Sequence, residues 1–461
     1  MALTVVVGLG RSGVGAARLL HHQGESVVVI EKGESVSLRS QAESLRQQGI
    51  QVELGRPLEL SSFEPWRDTL RTVVISPGIP WDHPTLDELR QEGVRIRGEM
   101  DLAWSALQDI PWIGITGTNG KTTVTLLLSH LLQVAGLQAP MGGNMGASAA
   151  EMALQISSGH QQADWLVMEL SSYQIEAAPE ISPQIGLWTT LTPDHLERHG
   201  SLDAYRSIKR HLLERSELAI FNADDPDLRA QRPSWDRGVW VSAEGARPDG
   251  QPADLWIDDN GQVRDDSGPM FPAGVLAMPG AHNRQNLLMA TAAARLIGIS
   301  AAQIAEGLRS FPGVPHRLER LGCMASGTTV YNDSKATNYA AAEVGLKALQ
   351  GPVVVLAGGQ TKRGDADGWL SQLKSQACSV VLYGSGAEEL MTLLSNSGYC
   401  GELHCCGDLS DAVRLAADAS HRFEANGLIL SPACASFDQY RDFEARGDHF
   451  RQLMEPLLKR P

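Results

Sequence analysis

Gly117-Thr118-Asn119-Gly120-Lys121-Thr122-Thr123 is the stretch on which the reading of this chain turns. Before it, Pro111-Trp-Ile-Gly-Ile-Thr116 is short and apolar, as a buried strand is, and residues 124–132 after it have the amphipathic spacing of a helix. A glycine turn between strand and helix lets several backbone N–H groups converge on phosphate oxygens at a helix N-terminus. In such a turn Lys121 reaches the β- and γ-phosphates of a nucleotide, and Thr122 offers its hydroxyl to Mg²⁺. The loop is a shortened variant, because Ile115 stands where the first glycine of G-x-x-x-x-G-K-[ST] belongs. A chance Gly-Lys-Thr turn is the alternative, and the flanking strand and helix weigh against it.

Outward from this loop, short apolar runs alternate with helical stretches: 4–7, 26–30, 72–75, 111–115, 165–169, 185–191, 353–356, 380–383 and 428–430. Such runs predict an α/β protein with parallel sheets covered on both faces. A chain of 461 residues exceeds what one core organises. Three blocks are expected: 1–100, opening with a glycine fingerprint of its own; 101–313, carrying the phosphate loop; and 314–461, with its own strand–helix alternation. Residues 246–273 are rich in Gly, Pro and Asp around the strand-like Ala253-Asp-Leu-Trp-Ile257, which predicts small antiparallel hairpins.

Composition narrows the class. Hydrophobic residues make up 43% and charged residues 20%, as in ordinary soluble proteins. A net charge of −15 argues against a nucleic-acid partner. No apolar run approaches the roughly 20 residues that span a bilayer, and Leu3–Val7 lacks a basic leader segment, so no membrane insertion is expected. The six cysteines all lie from Cys323 onward without zinc-like C-x-x-C pairs, which suits reduced cytoplasmic thiols.

Val5-Val-Val-Gly8-Leu-Gly10-Arg11-Ser12-Gly13 is a strand followed by G-x-G-x-x-G, and Glu31 ends the next run about 20 residues on, where an acid binds a ribose hydroxyl. The same geometry suits any pyrophosphate-bearing nucleotide, and glycines also serve close strand–helix packing. Two chemistries stay open: hydride transfer by an NAD-dependent oxidoreductase at the first block, or triphosphate chemistry at the second while the first holds a substrate. Ser76-Pro-Gly78-Ile79 leaves a neighbouring strand at the same sheet edge.

In the second block, Trp165-Leu-Val-Met-Glu169 ends in a carboxylate placed to hold Mg²⁺ beside the phosphate loop. Thr192-Pro-Asp194-His195 leaves the next strand and offers a ligand for a second metal. Spacing alone does not separate Lys209 from a surface lysine. Asn283 and Asn286 stand at the entry of a helix expected over 287–297, as caps or as amides for adenine or phosphate. In the third block, Asn332-Asp333-Ser334-Lys335-Ala-Thr337-Asn338 gathers a carboxylate, an amine and hydroxyls before a helix expected over 340–349; an ordinary surface turn is the alternative. Leu356-Ala-Gly358-Gly359-Gln-Thr-Lys362 is another strand-to-glycine loop, and Ser431-Pro-Ala-Cys434-Ala-Ser436 leaves a third edge. Cys434 reads as a packing residue rather than a nucleophile.

Taken in order, Gly117–Thr123, Glu169-Leu-Ser-Ser172, Asp194-His195, His282-Asn283, Pro315-His-Arg317, Asn332–Asn338 and Ser431–Ser436 closely resemble the Mur ligase family, from Val5 to the C-terminus. The resemblance implies three domains: a Rossmann-like N-terminal domain for a UDP-linked substrate, a central P-loop-type ATPase domain with a mostly parallel sheet, and a C-terminal Rossmann-like α/β domain that holds an amino acid and closes over ATP. It implies a cytoplasmic, ATP-dependent, ADP-forming amide ligase of peptidoglycan precursor synthesis. Such an enzyme adds D-glutamate to UDP-N-acetylmuramoyl-L-alanine through an acyl phosphate. The Asp-Asn-Pro-Arg motif of the diamino-acid branch is absent, and Ser431–Ser436 looks like the D-glutamate branch. Another Mur-type or folylpolyglutamate-type ligase is the alternative within the superfamily.

The resemblance also distributes roles. Lys121, His195 and Lys209 align with catalytic positions. Gly117, Thr118, Asn119, Gly120, Lys121, Thr122, Thr123, Asn283, Asn286, Arg317 and Asp333 align with ATP-site positions. Gly10, Arg11, Ser12, Glu31, Gly78, Asn144 and His195 align with the UDP-substrate site. Lys335, Thr337, Lys362, Ser436 and Phe443 align with the D-glutamate site. Two Mg²⁺ ions are implied, held by Thr122, Glu169, His195 and a carbamylated Lys209. The implied enzyme is a monomer acting on small molecules. The sequence departs from relatives at Glu31-Lys32, which bears on uracil recognition.

Overall fold

A computed structural model describes residues 2–278, 280–362 and 364–459. The chain packs as two compact units, one running to Leu276 together with Ala281–Phe311, the other from Pro312 onward together with Ala277–Gly280.

The first unit contains two sheets. Strands β1 (Leu3–Val7), β2 (Ser26–Glu31), β3 (Gln51–Leu54), β4 (Leu70–Ile75) and β5 (Arg95–Gly98) form a parallel sheet in the order β3-β2-β1-β4-β5. Val5 lies in register with Val28 and Val73, so the valine-rich runs share buried layers on both faces. Strand order reverses between β1 and β4, which opens a crevice at their carboxyl ends, where Gly8 and Ser76 sit. The Ser76 hydroxyl donates to the Val7 carbonyl at 3.2 Å. A Cβ at Gly13 would overlap the Gly8 carbonyl, so the third fingerprint glycine lets helix Arg11–His22 lie against the loop.

The second sheet has nine strands: β6 (Trp112–Thr116), β7 (Met141–Gly143), β8 (Leu166–Glu169), β9 (Ile185–Trp188), β10 (Leu218–Asn222), β11 (Val239–Ser242), β12 (Leu255–Ile257), β13 (Gln262–Asp265) and β14 (Gly268–Pro272). Their order is β14-β13-β12-β11-β10-β9-β6-β8-β7. Strands up to β12 pair in parallel, and β12–β14 form the expected antiparallel meander. Strand β9 ends at Trp188 rather than continuing to 191, because Thr189 and Thr190 turn aside to grip the phosphate loop.

The second unit holds β15 (Glu319–Cys323), β16 (Thr329–Asn332), β17 (Val353–Gly358), β18 (Ala377–Tyr383), β19 (Glu402–Cys406) and β20 (Gly427–Leu430), ordered β15-β16-β20-β17-β18-β19. Only β15 runs antiparallel to its neighbour. Asn332, read at the head of the turn, is the last residue of strand β16 itself. The carboxyl ends of β16, β20 and β17 lie side by side, so Asp333, Ser431 and Gly359 leave one sheet edge together. Among the described residues no helix is long and apolar enough to cross a membrane.

Candidate functional site

Strand β6 delivers its loop where the order of the central sheet switches, between β8, which ends at Glu169, and β9. The loop is held from the β9 side. Thr118 N–H donates to the Thr190 carbonyl at 2.8 Å, and Asn119 N–H donates to the Thr190 hydroxyl at 2.9 Å. The Thr189 hydroxyl lies 3.2 Å from the Thr116 carbonyl oxygen and 2.5 Å from that of Asn119. Gly117 has φ +141°, and a Cβ there would overlap the Thr189 hydroxyl. The backbone conformation and the absent side chain are both required. Lys121 opens helix Lys121–Val134, and its ammonium donates to the carbonyls of Gly117 (2.7 Å) and Thr118 (2.9 Å). First-turn N–H groups have no intrahelical acceptor, and the helix dipole is positive there, so the turn is a cradle for anions with its own lysine at the mouth.

Lys209 is not a surface lysine. Only 1% of it is exposed. Helix Leu202–Arg215, capped by Ser201, drives it under the loop, where its amine donates to the Gly117 carbonyl at 3.1 Å and the Thr116 hydroxyl at 3.3 Å. It also lies 4.5 Å from the ring centre of Tyr205, whose hydroxyl is 3.3 Å from that of Thr118. Burial first, and then the charge of Lys121, hold the Lys209 pKa well below the ordinary lysine value. Sequence spacing could not show this, because helical position alone does not tell which face meets a loop 92 residues upstream.

Glu169 is buried at the end of β8. Its Oε1 accepts from the Asn144 side chain at 2.9 Å, and its carbonyl accepts from Asn144 N–H at 2.9 Å. Its Oε2 is buried and has no hydrogen-bond partner among the described residues. A buried carboxylate oxygen without a donor is a group that a hard cation satisfies. His195 is half-exposed, with φ +53°, a ring 5.1 Å from that of Tyr173, and Asp194 and Glu197 at 3.5 and 3.8 Å. No three His, Cys, Asp or Glu side chains among the described residues converge on a common point. An ion here would draw ligands from phosphate, hydroxyl and water as well, as Mg²⁺ commonly does.

Asn283 and Asn286 do not cap a helix. The helix begins at Ala281, earlier than expected, and places both in its first turns, buried. The Asn286 amide donates to Asn283 Oδ1 at 3.2 Å, and Asn286 Oδ1 would stand 2.7 Å from a Cβ on Gly120, so the pair lines the phosphate loop. Pro279, which precedes this helix in the sequence, lies outside the described residues.

At the first sheet, Glu31 does not stand free for a ribose. One oxygen accepts from Leu9 N–H at 2.9 Å and the other from Gly33 N–H at 2.8 Å, so the acid fixes the glycine loop from within. Gly10 and Arg11 are exposed, and Ser12 is partly so, as the burial of the neighbouring Gly13 leaves it at the helix edge. Gly78 has open space where a Cβ would stand. Arg11 donates to the Gly146 carbonyl at 2.7 Å, which places it beside the loop carrying Asn144.

In the second unit, Asp333 is buried, accepting from Leu318 N–H at 3.0 Å and from the Ser431 hydroxyl at 3.0 Å; burial pushes its carboxyl up to about 7. It therefore joins the β16 and β20 ends rather than presenting a free carboxylate. Arg317 is partly exposed beside this turn. Lys335 lies 5.7 Å from the Phe443 ring centre, Ser436 is buried, Thr337 is partly buried and Lys362 is exposed. The sequence reading missed Arg446, which is fully buried. Its guanidinium donates to the hydroxyl (3.0 Å) and carbonyl (2.9 Å) of Ser334, and to the carbonyls of Cys434 (3.1 Å) and Gly358 (3.4 Å). One cation thus ties the ends of β16, β20 and β17. Its only sequence signal is a charge three residues after Phe443, on a face that packs inward. Cys434 is buried, its thiol pushed up by burial to about 12, consistent with packing.

Three family models match successive segments of the chain. Residues 2–98 match the Mur ligase MurD-like N-terminal domain, 115–294 the Mur ligase middle domain, and 316–431 the Mur ligase glutamate ligase domain. The chain is 69% identical over 459 residues to the UDP-N-acetylmuramoylalanine–D-glutamate ligase of Synechococcus sp. (strain CC9605), covering 99% of each chain. It is 45% identical over 461 residues to the ligase of that name from Synechocystis sp., covering 98% of each. In fold it resembles the UDP-N-acetylmuramate-alanine ligase of Thermotoga maritima, with a TM-score of 0.60 at 19% identity over 99% of each chain.

Proposed function

The chain belongs to the Mur ligase family, and we propose that it joins D-glutamate to UDP-N-acetylmuramoyl-L-alanine while converting ATP to ADP and phosphate. The observation that carries this is the anion cradle of Gly117–Thr123, with Lys121 at its mouth, in a chain alike over its full length to ligases of that name.

A carboxylate is a poor electrophile, so its oxygen must first become a leaving group. The L-alanyl carboxylate attacks the γ-phosphorus of ATP, the bond to the β-bridging oxygen breaks, and ADP departs from an acyl phosphate. The free amine of D-glutamate then attacks the acyl carbon, phosphate leaves, and the amide nitrogen loses a proton. The first step gathers several negative charges, so fixed cations and N–H dipoles carry most of the catalysis. Lys121 turns its ammonium from the Gly117 and Thr118 carbonyls to the phosphate oxygens. Thr122, Glu169 and His195 would hold Mg²⁺, which supplies charge neutralisation on the phosphates. The orphaned Glu169 oxygen supports that assignment.

Lys209 is assigned to carbamylation. Burial and the nearby Lys121 charge favour its neutral amine, the form that adds to CO₂; the nitrogen then loses a proton, and the product presents an anionic oxygen ligand. Arg11 and the Gly10–Ser12 loop, with Gly78 and Asn144, are assigned to the UDP-linked substrate. Lys335, Thr337, Lys362, Ser436 and Phe443 are assigned to D-glutamate, whose two carboxylates suit two lysines. A cytoplasmic monomer is the form proposed. Phosphate release measured with each substrate omitted in turn tests the assignment; release that persists without the UDP-linked substrate opposes it.

A further inference from the structure

One buried carboxylate has no part in the chemistry above. Glu99 is the first residue of helix Glu99–Leu107, which follows β5, and it is 1% exposed. The preceding residue is pinned, with Gly98 N–H donating to the Ala177 carbonyl at 2.8 Å. Glu99 Oε1 accepts the backbone N–H of Ala150 at 2.6 Å, and the Ser148 hydroxyl and the Ala149 N–H of the same helix start also act on its carboxyl. Ala150 lies in the first turn of helix Ala149–Ser157, which already has a cap: Ser148 Oγ accepts Glu151 N–H at 3.2 Å. Two acceptors from different segments therefore hold this N-terminus, and the second is a carboxylate buried at a cost.

What that N-terminus carries explains the double hold. The five residues before the helix, Asn144–Ser148, form the loop leaving β7. From it, the Gly146 carbonyl accepts from Arg11 at 2.7 Å, and Asn144 reaches Glu169 through its side chain and its backbone. Helix Arg11–His22 packs so closely on the loop that a Cβ on Gly15 would overlap the Ser148 hydroxyl. Arg11 is also the cation whose charge acts on Glu99.

We infer that Glu99 is a positioning residue for the nucleotide-sugar substrate: by clamping Ala150 it sets the Asn144–Ser148 loop, and through that loop the placement of Arg11 and Asn144. It touches no reacting atom. The inference rests on the proposal that the crevice of the first sheet holds the UDP-linked substrate.

The test is the full-length enzyme with Glu99→Asp, which keeps the carboxyl group but withdraws it by one methylene, and Glu99→Gln, which keeps the reach. For Glu99→Asp the KM for UDP-N-acetylmuramoyl-L-alanine should rise roughly tenfold, the loss of one hydrogen bond from a buried N–H donor. The KM values for ATP and D-glutamate should stay within about twofold, and kcat within about threefold. Glu99→Gln should restore the KM to within about threefold of wild type, since its amide oxygen can still accept from Ala150. In an Arg11→Ala background the Asp substitution should add little, because the two act through one loop. A merely structural role would lower Vmax with KM unchanged, or raise all three KM values together, and either result overturns the inference. So does full additivity with Arg11→Ala. Failure of the wild-type enzyme to saturate with the UDP-linked substrate overturns the substrate assignment first and this inference with it, and is visible without any variant.

Discussion

Gly117→Ala probes the phosphate loop from the side of its backbone. The native φ of +141° is one that a side-chain-bearing residue rarely adopts, which costs about 1–3 kcal/mol. The new methyl would also occupy the place of the Thr189 hydroxyl and approach the Thr190 amide nitrogen to 3.0 Å. Relieving that overlap moves Thr189 off the Thr116 and Asn119 carbonyls, which share its single hydroxyl proton, at about 1 kcal/mol for the hydrogen bond lost. The sum is about 2–4 kcal/mol, and the atoms that shift form the wall of the anion cradle. Urea unfolding followed through the buried Trp112 and Trp188 should show this loss, and titration with a non-hydrolysable ATP analogue should show at least a roughly tenfold weaker Kd. Gly10→Ala is the internal control. Gly10 has φ −78° and open space around it, so the fold should change by less than roughly 0.5 kcal/mol. A Gly117→Ala protein with wild-type stability and nucleotide affinity would refute the reasoning.

Three further perturbations separate the parts of the account. Burial raises Glu99 from 4.5 in a free carboxyl to about 7, so between those values the folded state binds more protons than the unfolded one. Its contribution is fully present below pH 4.5 and lost as pH rises through 7, on the order of 3 kcal/mol in all; Glu99→Gln should therefore shrink the stability difference between pH 5 and pH 8, and an unchanged slope counts against the burial argument. Lys209→Ala should lower kcat by roughly a hundredfold or more and be partly rescued by short-chain carboxylates, while ¹³C-bicarbonate should give a carbamate resonance in wild type that the variant lacks. Arg446→Met keeps the volume but removes the donors joining three strand ends, so the D-glutamate KM should rise roughly tenfold with the KM for the UDP-linked substrate unmoved; Arg446→Lys should not restore it, since an ammonium cannot reproduce a planar fork.

The α/β architecture was legible because continuous apolar runs such as Val5–Val7 and 353–356 are what buried parallel strands require. Gln51–Leu54 and Arg95–Gly98 were missed because edge strands face solvent and carry charge, and so lose the apolar signal. Asn283 and Asn286 were placed near a helix start correctly but outside the helix rather than within its first turns, because Ala281-His282 carries no cap residue to mark the boundary. The phosphate loop could be read locally, since its requirements are backbone ones. Lys209, Arg446 and the tie between Glu31 and Leu9 could not, because each depends on which distant backbone groups the fold brings to it.

The most direct measurement of the central claim is ADP and phosphate formation with ATP, Mg²⁺, UDP-N-acetylmuramoyl-L-alanine and a panel of amino acids. The account predicts stoichiometric product only when all components are present, a preference for D-glutamate, and loss of turnover in a folded Lys121→Ala variant. Equal turnover with another amino acid, or undiminished turnover without Lys121, would contradict it.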